Sequence, residues 1–275
     1  MFKSKKVIVS GATGFIGQHL VPILLKDGYE VLAISRNQKR AEFLPWFKDV
    51  KFISYDFHSD QQITKVEGFR GLIHLAWQDL PNYDSSIHVK KNLPCSYRFI
   101  DSLIDKGVNQ VLIAGTCFEY GLKSGAISSS STTEPTTQYA IAKDTLRKKL
   151  TLLSFKKDFN LQWARIFYMF GKGQNSNSII SQLDFAIKNN QKVFLMSGGE
   201  QLRDYLPVEK ASEKLSNLYK SGNKGIFNIC SGKPISIRNL VESYIEENNS
   251  NIIPKYGYYP YSVYEPMQFW GIQNI

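Results

Sequence analysis

The 275-residue chain is poor in the residues that bridge chains and hold metals. Its three cysteines, 95, 117 and 230, are odd in number and lack metal-ligand spacing, and its four histidines, 19, 58, 74 and 88, form no paired ligand pattern. Neither a disulfide framework nor a metal is expected, and a reducing cytoplasm fits the free thiols best. No apolar run approaches the roughly 20 residues that span a bilayer, so no membrane partner is expected. The start, MFKSKKVIVSGATG, is basic and then apolar, but Gly11 and Gly14 break the run at once, and it reads as a strand rather than a leader. Arginine-rich tracts and zinc-finger spacings are also missing, so no nucleic-acid partner is expected.

What the chain does have is an ordinary globular balance, with 43% hydrophobic and 21% charged residues. That suits one large domain or a domain with a small lobe. Lysine and arginine exceed aspartate and glutamate by 34 − 24 = 10. Such an excess is either a solvated lysine-rich surface or a positive field that draws in an anionic ligand such as a nucleotide.

Five continuous apolar runs, KVIVS (6–10), YEVLAIS (29–35), VKFIS (50–54), GLIHLA (71–76) and QVLIAG (110–115), suit strands covered on both faces. Between them 15–26, 38–47 and 88–106 carry helical spacing, with Leu93, Tyr97, Ile100, Ile104 and Val108 marking one face of the last. This alternation predicts an α/β fold, a Rossmann-type doubly wound parallel sheet. The polar stretch GLKSGAISSSSTTEPTT (121–137) reads as a surface loop. After about residue 170, helices at 177–190, 207–220 and 236–247 alternate with strands at 192–196 and 225–229, which predicts a smaller mixed α/β lobe. The expected division is a dinucleotide-binding domain over 1–170 and a substrate lobe over 171–275, interleaved with the first.

VSGATGFIGQHL places Gly11, Gly14 and Gly17 between the first strand and the first helix. There a turn free of side chains lets backbone N–H groups approach a pyrophosphate, and the helix dipole favours the anion. An acidic residue at the end of the second strand would bind a ribose 2′-hydroxyl and select NAD. The sequence reads Ser35-Arg36 instead, and a guanidinium suits a 2′-phosphate. NADP is the expected cofactor, with NAD as the alternative.

Two tyrosine–lysine pairs have a spacing of four: Tyr139 with Lys143, and Tyr168 with Lys172. The first opens a segment whose Ala142, Leu146, Leu150 and Leu153 have helical spacing, so both side chains project from one face. The second straddles Gly171 after the run LQWARIFYMF and need not form a pair.

With GATGFIG, HLA (74–76), GTCFEYG (115–121), QYAIAK (138–143), RIFYMFG (165–171) and GEQLRDYLPVEKA (199–211) in this order, the chain resembles the extended short-chain dehydrogenases/reductases of the nucleotide-sugar epimerase/dehydratase group over almost its whole length. The resemblance implies a catalytic set of Thr116, Tyr139 and Lys143, with Lys143 lowering the phenol pKa and holding the nicotinamide ribose. It implies cofactor contacts from Gly11, Thr13, Gly14, Phe15, Ile16 and Gly17, from Ser35 and Arg36, from Asp56 and Phe57, and from Leu75, Ala76 and Trp77, besides Tyr139 and Lys143. Asp56 also reads as a plain turn residue, and Trp77 as core. Asn92 falls where the group has a structural asparagine. Substrate contacts are implied for Thr116, Cys117, Phe118, Tyr168 and Arg203, the last on a diphosphate. Members often dimerise through the two helices that include the Tyr139 segment, so a homodimer is expected.

Departures narrow the activity. Related dehydratases carry Asp-Glu after the catalytic threonine, where this chain has Cys117 and Phe118, so elimination of water is not expected. The group's asparagine three residues after Arg165 is Tyr168 here. Its late arginine is also missing, with Tyr264 and Glu265 in that neighbourhood. GTCFEYG, EQLRDYL and EPMQFWG (265–271) most resemble NADPH-dependent reductases of nucleotide-linked, dTDP-type 4-keto-6-deoxy sugars, which serve surface polysaccharide synthesis. An NAD-retaining epimerase and a non-catalytic dinucleotide sensor remain the alternatives, since fold alone does not license catalysis.

Overall fold

The apolar runs of the first half become β1 (Lys6–Ser10), β2 (Glu30–Ser35), β3 (Lys51–Ser54), β4 (Gly71–His74) and β5 (Gln110–Thr116) in a computed structural model that describes residues 5–59, 61–263 and 265–274. There follow β6 (Gly125–Ile127), β7 (Asn160–Ile166), β8 (Tyr168–Phe170), β9 (Val193–Leu195), β10 (Leu202–Arg203), β11 (Tyr205–Pro207), β12 (Gly225–Ile229), β13 (Ile235–Ser236), β14 (Ile253–Lys255) and β15 (Gln268–Gly271). The helices are α1 (Gly17–Lys26), α2 (Gln38–Glu42), α3 (Leu93–Asp105), α4 (Gln138–Lys157), α5 (Ile179–Lys188), α6 (Val208–Ser221) and α7 (Ile237–Glu247).

Seven strands form one parallel sheet in the order β12-β7-β5-β4-β1-β2-β3. Winding runs one way from β1 to β3 and the other way from β4 outwards. A crevice therefore opens at the carboxyl ends of β1 and β4, the place where such sheets bind ligands. Both sheet faces are covered, which is why the central strands β1, β2, β4 and β5 are mostly apolar and nearly all buried. Phe99, Ile100, Leu103, Leu146 and Leu150 pack one face from α3 and α4; Leu20, Val21, Leu24, Leu215 and Leu218 pack the other from α1 and α6.

A second sheet has the order β13-β10-β15-β6, and two short pairs, β8 with β11 and β9 with β14, complete the lobe. Leu183, Phe194, Met196, Ile237, Val241 and Ile252 form its core between α5 and α7.

Four local readings change. The helix expected over 38–47 stops at Glu42, and a 3-10 turn follows at Phe47–Asp49. Pro45 is the reason, because its ring drives the residue before it out of helical geometry. The stripe expected on the helix after β4 is rotated: Cys95, Phe99, Ile100, Leu103 and Ile104 are buried, while Leu93 and Tyr97 are only partly so. The loop over 121–137 contains β6, which pairs in parallel with β15 through Phe269–Gly125, Trp270–Ala126 and Gly271–Ile127. Finally, α6 and β12, read as parts of the lobe, belong to the large sheet. β12 extends β7 in parallel register, and α6 is the crossover that carries it there, packed beside α1.

Candidate active site

The turn between β1 and α1 is built from main chain alone. Gly11 has φ +73° and lies so close to the end of β4 that a Cβ would sit 2.7 Å from Ala76 N. A Cβ on Gly17 would meet Ala12 O at 2.6 Å and collide with Gly11 O. No side chain caps α1 at Ile16; the N–H groups of Gln18, His19 and Leu20 donate to Gly14 O and Ile16 O, so an anion here would meet the loop N–H groups before them and the helix dipole. The loop thus fits a pyrophosphate: it has the glycines where backbones meet and an uncapped helix N-terminus.

Beside it Thr13 and Ser35 share a hydrogen bond of 2.6 Å between their hydroxyls, and Arg36 is exposed at the end of β2. No carboxylate occupies that strand end. Asp56 accepts from His58 N–H (3.0 Å) and from Gln78 Nε2 (3.3 Å), the pattern of a turn residue. The Phe57 side chain is buried in the core. Leu75 N–H donates to Ser10 O at 3.0 Å, which fixes Leu75, Ala76 and Trp77 as the wall after β4.

Thr116, Tyr139 and Lys143 meet at the carboxyl edge of β5. Thr116 is its last residue. Thr137 caps α4 by accepting from Ala140 N–H (3.2 Å), which sets Tyr139 and Lys143 on the inner face of the first turns. Lys143 Nζ donates to Ala114 O at 2.8 Å and stands 3.8 Å from the centre of the Trp77 ring, a cation–π contact. It lies 6.0 Å from the Tyr139 ring centre. Tyr168 and Lys172 form no such pair. Tyr168 packs against Phe118 and Tyr205, while the Lys172 carbonyl accepts from Gln18 and His19 on α1.

Electrostatics at the triad differ from the expectation that the lysine depresses the phenol. Burial raises the Tyr139 pKa well above its ordinary value, with Tyr83, Glu119 and Cys117 adding to the rise and a hydrogen bond with Thr116 opposing it. Lys143 is itself pushed down to about 7 by burial, with Glu119 pulling the other way. Taking either charged form out of water outweighs their mutual attraction. Both groups are therefore biased towards their neutral forms.

Two of the residues that set this geometry, Glu119 and His88, were not picked out by the sequence reading. Glu119 is fully buried and accepts from Thr116 N–H (2.9 Å), Trp163 Nε1 (2.9 Å) and Arg165 Nε (2.7 Å). With Thr116 it forms a capping box on the turn after β5. Its spacing from Thr116, three residues in GTCFEYG, is the one sequence signal for that box. His88 Nε2 lies 2.8 Å from Asn82 O, so Nε2 carries the proton, and Nδ1 accepts from Trp77 Nε1 and Asn92 Nδ2, both at 3.1 Å. Asn92, on a π-helical turn at His88–Asn92, also donates to Gln78 O at 3.0 Å. His74 is driven down to about 3 by burial and bonds to Ser10 Oγ at 2.7 Å.

Aromatic rings line the way from the triad to the lobe. Tyr83 lies 5.7 Å from Tyr139 and 5.0 Å from Phe118; Phe118 lies 6.1 Å from Tyr168, and Tyr168 5.5 Å from Tyr205. Cys117, buried beside Thr116, has a thiol pushed well up by burial and is inert as a base. Arg203, expected on a diphosphate, is 3% exposed and paired with Glu265 Oε2 at 3.0 Å. Tyr264, the other residue at the departure from the group's late arginine, lies outside the described residues.

Among the described residues no group of three or more His, Cys, Asp or Glu could hold a metal, and no helix is long and apolar enough to cross a membrane. A relative from Aggregatibacter actinomycetemcomitans, named dTDP-6-deoxy-L-talose 4-dehydrogenase (NAD(+)), is 33% identical over 96% of this chain and 98% of its own. The Escherichia coli dTDP-4-dehydro-6-deoxyglucose reductase is 23% identical over 86% of this chain and 80% of its own. Among solved structures, the UDP-N-acetylglucosamine 4-epimerase of Methanobrevibacter ruminantium M1, in complex with UDP-N-acetylmuramic acid, superposes with a TM-score of 0.85 at 23% identity, covering 98% of this chain and 90% of that one. MoeE5 in complex with UDP-glucuronic acid and NAD gives 0.82 at 24% identity with the same coverage. A sequence model of the NAD dependent epimerase/dehydratase family matches residues 7–230. With the glycine turn, the doubly wound sheet and the Thr-Tyr-Lys edge all in place, the chain belongs to the NAD dependent epimerase/dehydratase family.

Proposed function

We propose that the chain is an NADPH-dependent reductase of the 4-keto group of a nucleotide-linked, dTDP-type 6-deoxy sugar, serving surface polysaccharide synthesis. One observation carries this reading: Thr116, Tyr139 and Lys143 meet at the carboxyl edge of β5, with Lys143 Nζ held by Ala114 O at 2.8 Å. A neutral phenol placed there can give a proton to a ketone oxygen. The nicotinamide, when bound, supplies the hydride to the carbonyl carbon. Thr116 and Tyr139 orient the ketone oxygen, Tyr139 protonates it as the C–H bond forms, and the phenolate regains its proton from solvent. Lys143, donating at Nζ and backed by Trp77, would hold the nicotinamide ribose. Cys117 and Phe118 supply no acid–base pair for eliminating water, which sets dehydration aside.

Arg36, with no carboxylate at its strand end, supports NADPH. NAD is the second reading, favoured by the printed name of the relative from Aggregatibacter actinomycetemcomitans. A homodimer through α3 and α4 belongs to the same proposal, supported by Leu152 and Phe155 of α4, 64% and 82% exposed.

The test supplies a dTDP-4-keto-6-deoxy sugar with NADPH or NADH and follows loss of reduced nicotinamide together with the sugar product. Stoichiometric oxidation of the cofactor with a new C4 hydroxyl is the expected result. Interconversion of 4-hydroxyl epimers with no net cofactor change would replace this reading with epimerisation. Melting with single ligands reports the pocket separately, since saturation at ~100 times Kd adds about 2.7 kcal/mol.

A further inference from the structure

The geometry points to Glu265 as the sugar end's own anion, a specificity-determining carboxylate that holds the Arg203 guanidinium until a phosphate-bearing ligand takes its place. This deepens the reading above, and rests on it for the ligand's class, a nucleoside diphosphate.

Arg203 stands at the far end of the aromatic path from the triad, with its Cζ 5.6 Å from the Tyr168 ring centre. Its fork is divided. NH1 donates to Leu202 O at 2.9 Å and Met267 O at 3.3 Å, and NH2 to Glu265 Oε2 at 3.0 Å. One carboxylate oxygen is thus bound by one nitrogen, short of the parallel two-bond pairing in which a guanidinium binds carboxylate or phosphate best. Glu265 is the more exposed partner, with 19% of its side chain reached by solvent against 4% for Arg203. It sits on the stretch between β14 and β15, which Tyr258 N–H ties to Met196 O at 2.9 Å and Tyr261 ties to Glu200. That stretch shows Tyr258, Tyr259 and Val263 to solvent.

Withdrawing Glu265 with nothing in exchange would leave a buried guanidinium unpaired, which is strongly unfavourable. Phosphate oxygens would keep the charge paired. They would also give an acceptor to the Tyr168 hydroxyl, which is buried and has no hydrogen-bond partner among the described residues. The pair therefore opens by exchange of one anion for another, and a sugar or nucleoside without phosphate has nothing to exchange.

Calorimetric titration of the full chain with inorganic pyrophosphate, dTDP and thymidine, as wild type and as Glu265→Gln, tests the exchange. The amide keeps the shape and removes the competing charge. Pyrophosphate and dTDP should bind about tenfold more tightly to Glu265→Gln, a gain of ~1.4 kcal/mol, with thymidine unchanged. Tyr168→Phe should weaken pyrophosphate in both backgrounds. A folded Glu265→Gln that binds pyrophosphate no better than wild type overturns the proposal. If that variant does not fold, Glu265→Asp, which draws the charge back by one methylene, should tighten pyrophosphate severalfold, and an unchanged affinity again overturns it. Tighter pyrophosphate without turnover of any nucleotide-linked ketosugar keeps the exchange and removes the reductase reading. Turnover with no change in either affinity does the reverse.

Discussion

The two ends of the crevice are made of different material. At the dinucleotide end the recognition surface is main chain: Gly11, Gly14 and Gly17, an uncapped α1, and the backbone of Leu75 and Ala76 after β4. At the end proposed for the sugar it would be side chains from β5, α4, β8, β10 and the stretch before β15, each buried against the next. A main-chain surface is fixed as soon as strand and helix form, and it is intolerant of any added atom. A side-chain surface depends on distant partners, and its charges and pKa values are set by whatever tertiary packing brings together.

The sharpest way to break the comparison is at the acid. Tyr139→Phe should lower kcat about 10²–10⁴-fold while leaving the dinucleotide Kd nearly unchanged, as read by steady-state kinetics and fluorescence titration. Wild-type turnover in that variant would remove Tyr139 from the chemistry. Next in size is Glu119→Gln, which leaves Arg165 buried without its counter-charge and should lose ~3–5 kcal/mol of stability in a denaturant melt. A loss under 1 kcal/mol would mean that the Ser129 carbonyl and the Tyr120 ring, 3.2 Å and 4.4 Å from the Arg165 guanidinium, hold its charge without that carboxylate.

Lys143 makes a pH prediction. Its amine sits at about 7 in the fold, against 10.5 unperturbed. Between pH 7 and 10 the unfolded chain therefore holds a proton that the folded chain has released, so stability rises with pH across that window and the penalty is complete below it. Lys143→Met should flatten this slope, raise Tm at pH 7 and lower turnover; an unchanged slope in melts from pH 6 to pH 10 would refute the buried amine as its source. At the dinucleotide end, Gly17→Ala should cost ~1–3 kcal/mol through overpacking and weaken dinucleotide binding, whereas Phe15→Ala, a side-chain truncation in the same loop, should do far less. Equal effects on Kd would erase the contrast between the two ends. The smallest effect is expected at exposed Arg36, where Arg36→Asp should shift the NADP-to-NAD affinity ratio towards NAD by about tenfold, or ~1.4 kcal/mol.

Much of this was legible before any coordinate. The five apolar runs are β1 to β5 within a residue or two, and four of them, β1, β2, β4 and β5, are buried on both faces and have no polar alternation to confuse them. The same holds for the glycine turn and for the choice of Tyr139 over Tyr168, since both rest on spacing within one element. Three residues of strand at β6 were hidden in a serine-rich stretch because their partner, β15, lies more than a hundred residues away. The state of Tyr139 was misjudged for a related reason: sequence shows which cation is four residues off, but not how much water burial removes from both groups.

The sequence by itself determined what is local: strand and helix periods, the backbone freedom of Gly11, the Thr137 cap that starts α4, and the shared helix face of Tyr139 and Lys143. Only the tertiary structure decided which charges meet. Glu119 with Arg165, Lys143 with Trp77 and Arg203 with Glu265 are each joined by chain folding across 46, 66 and 62 residues. Electrostatic energy depends on distance and on excluded water, and neither is written along the chain.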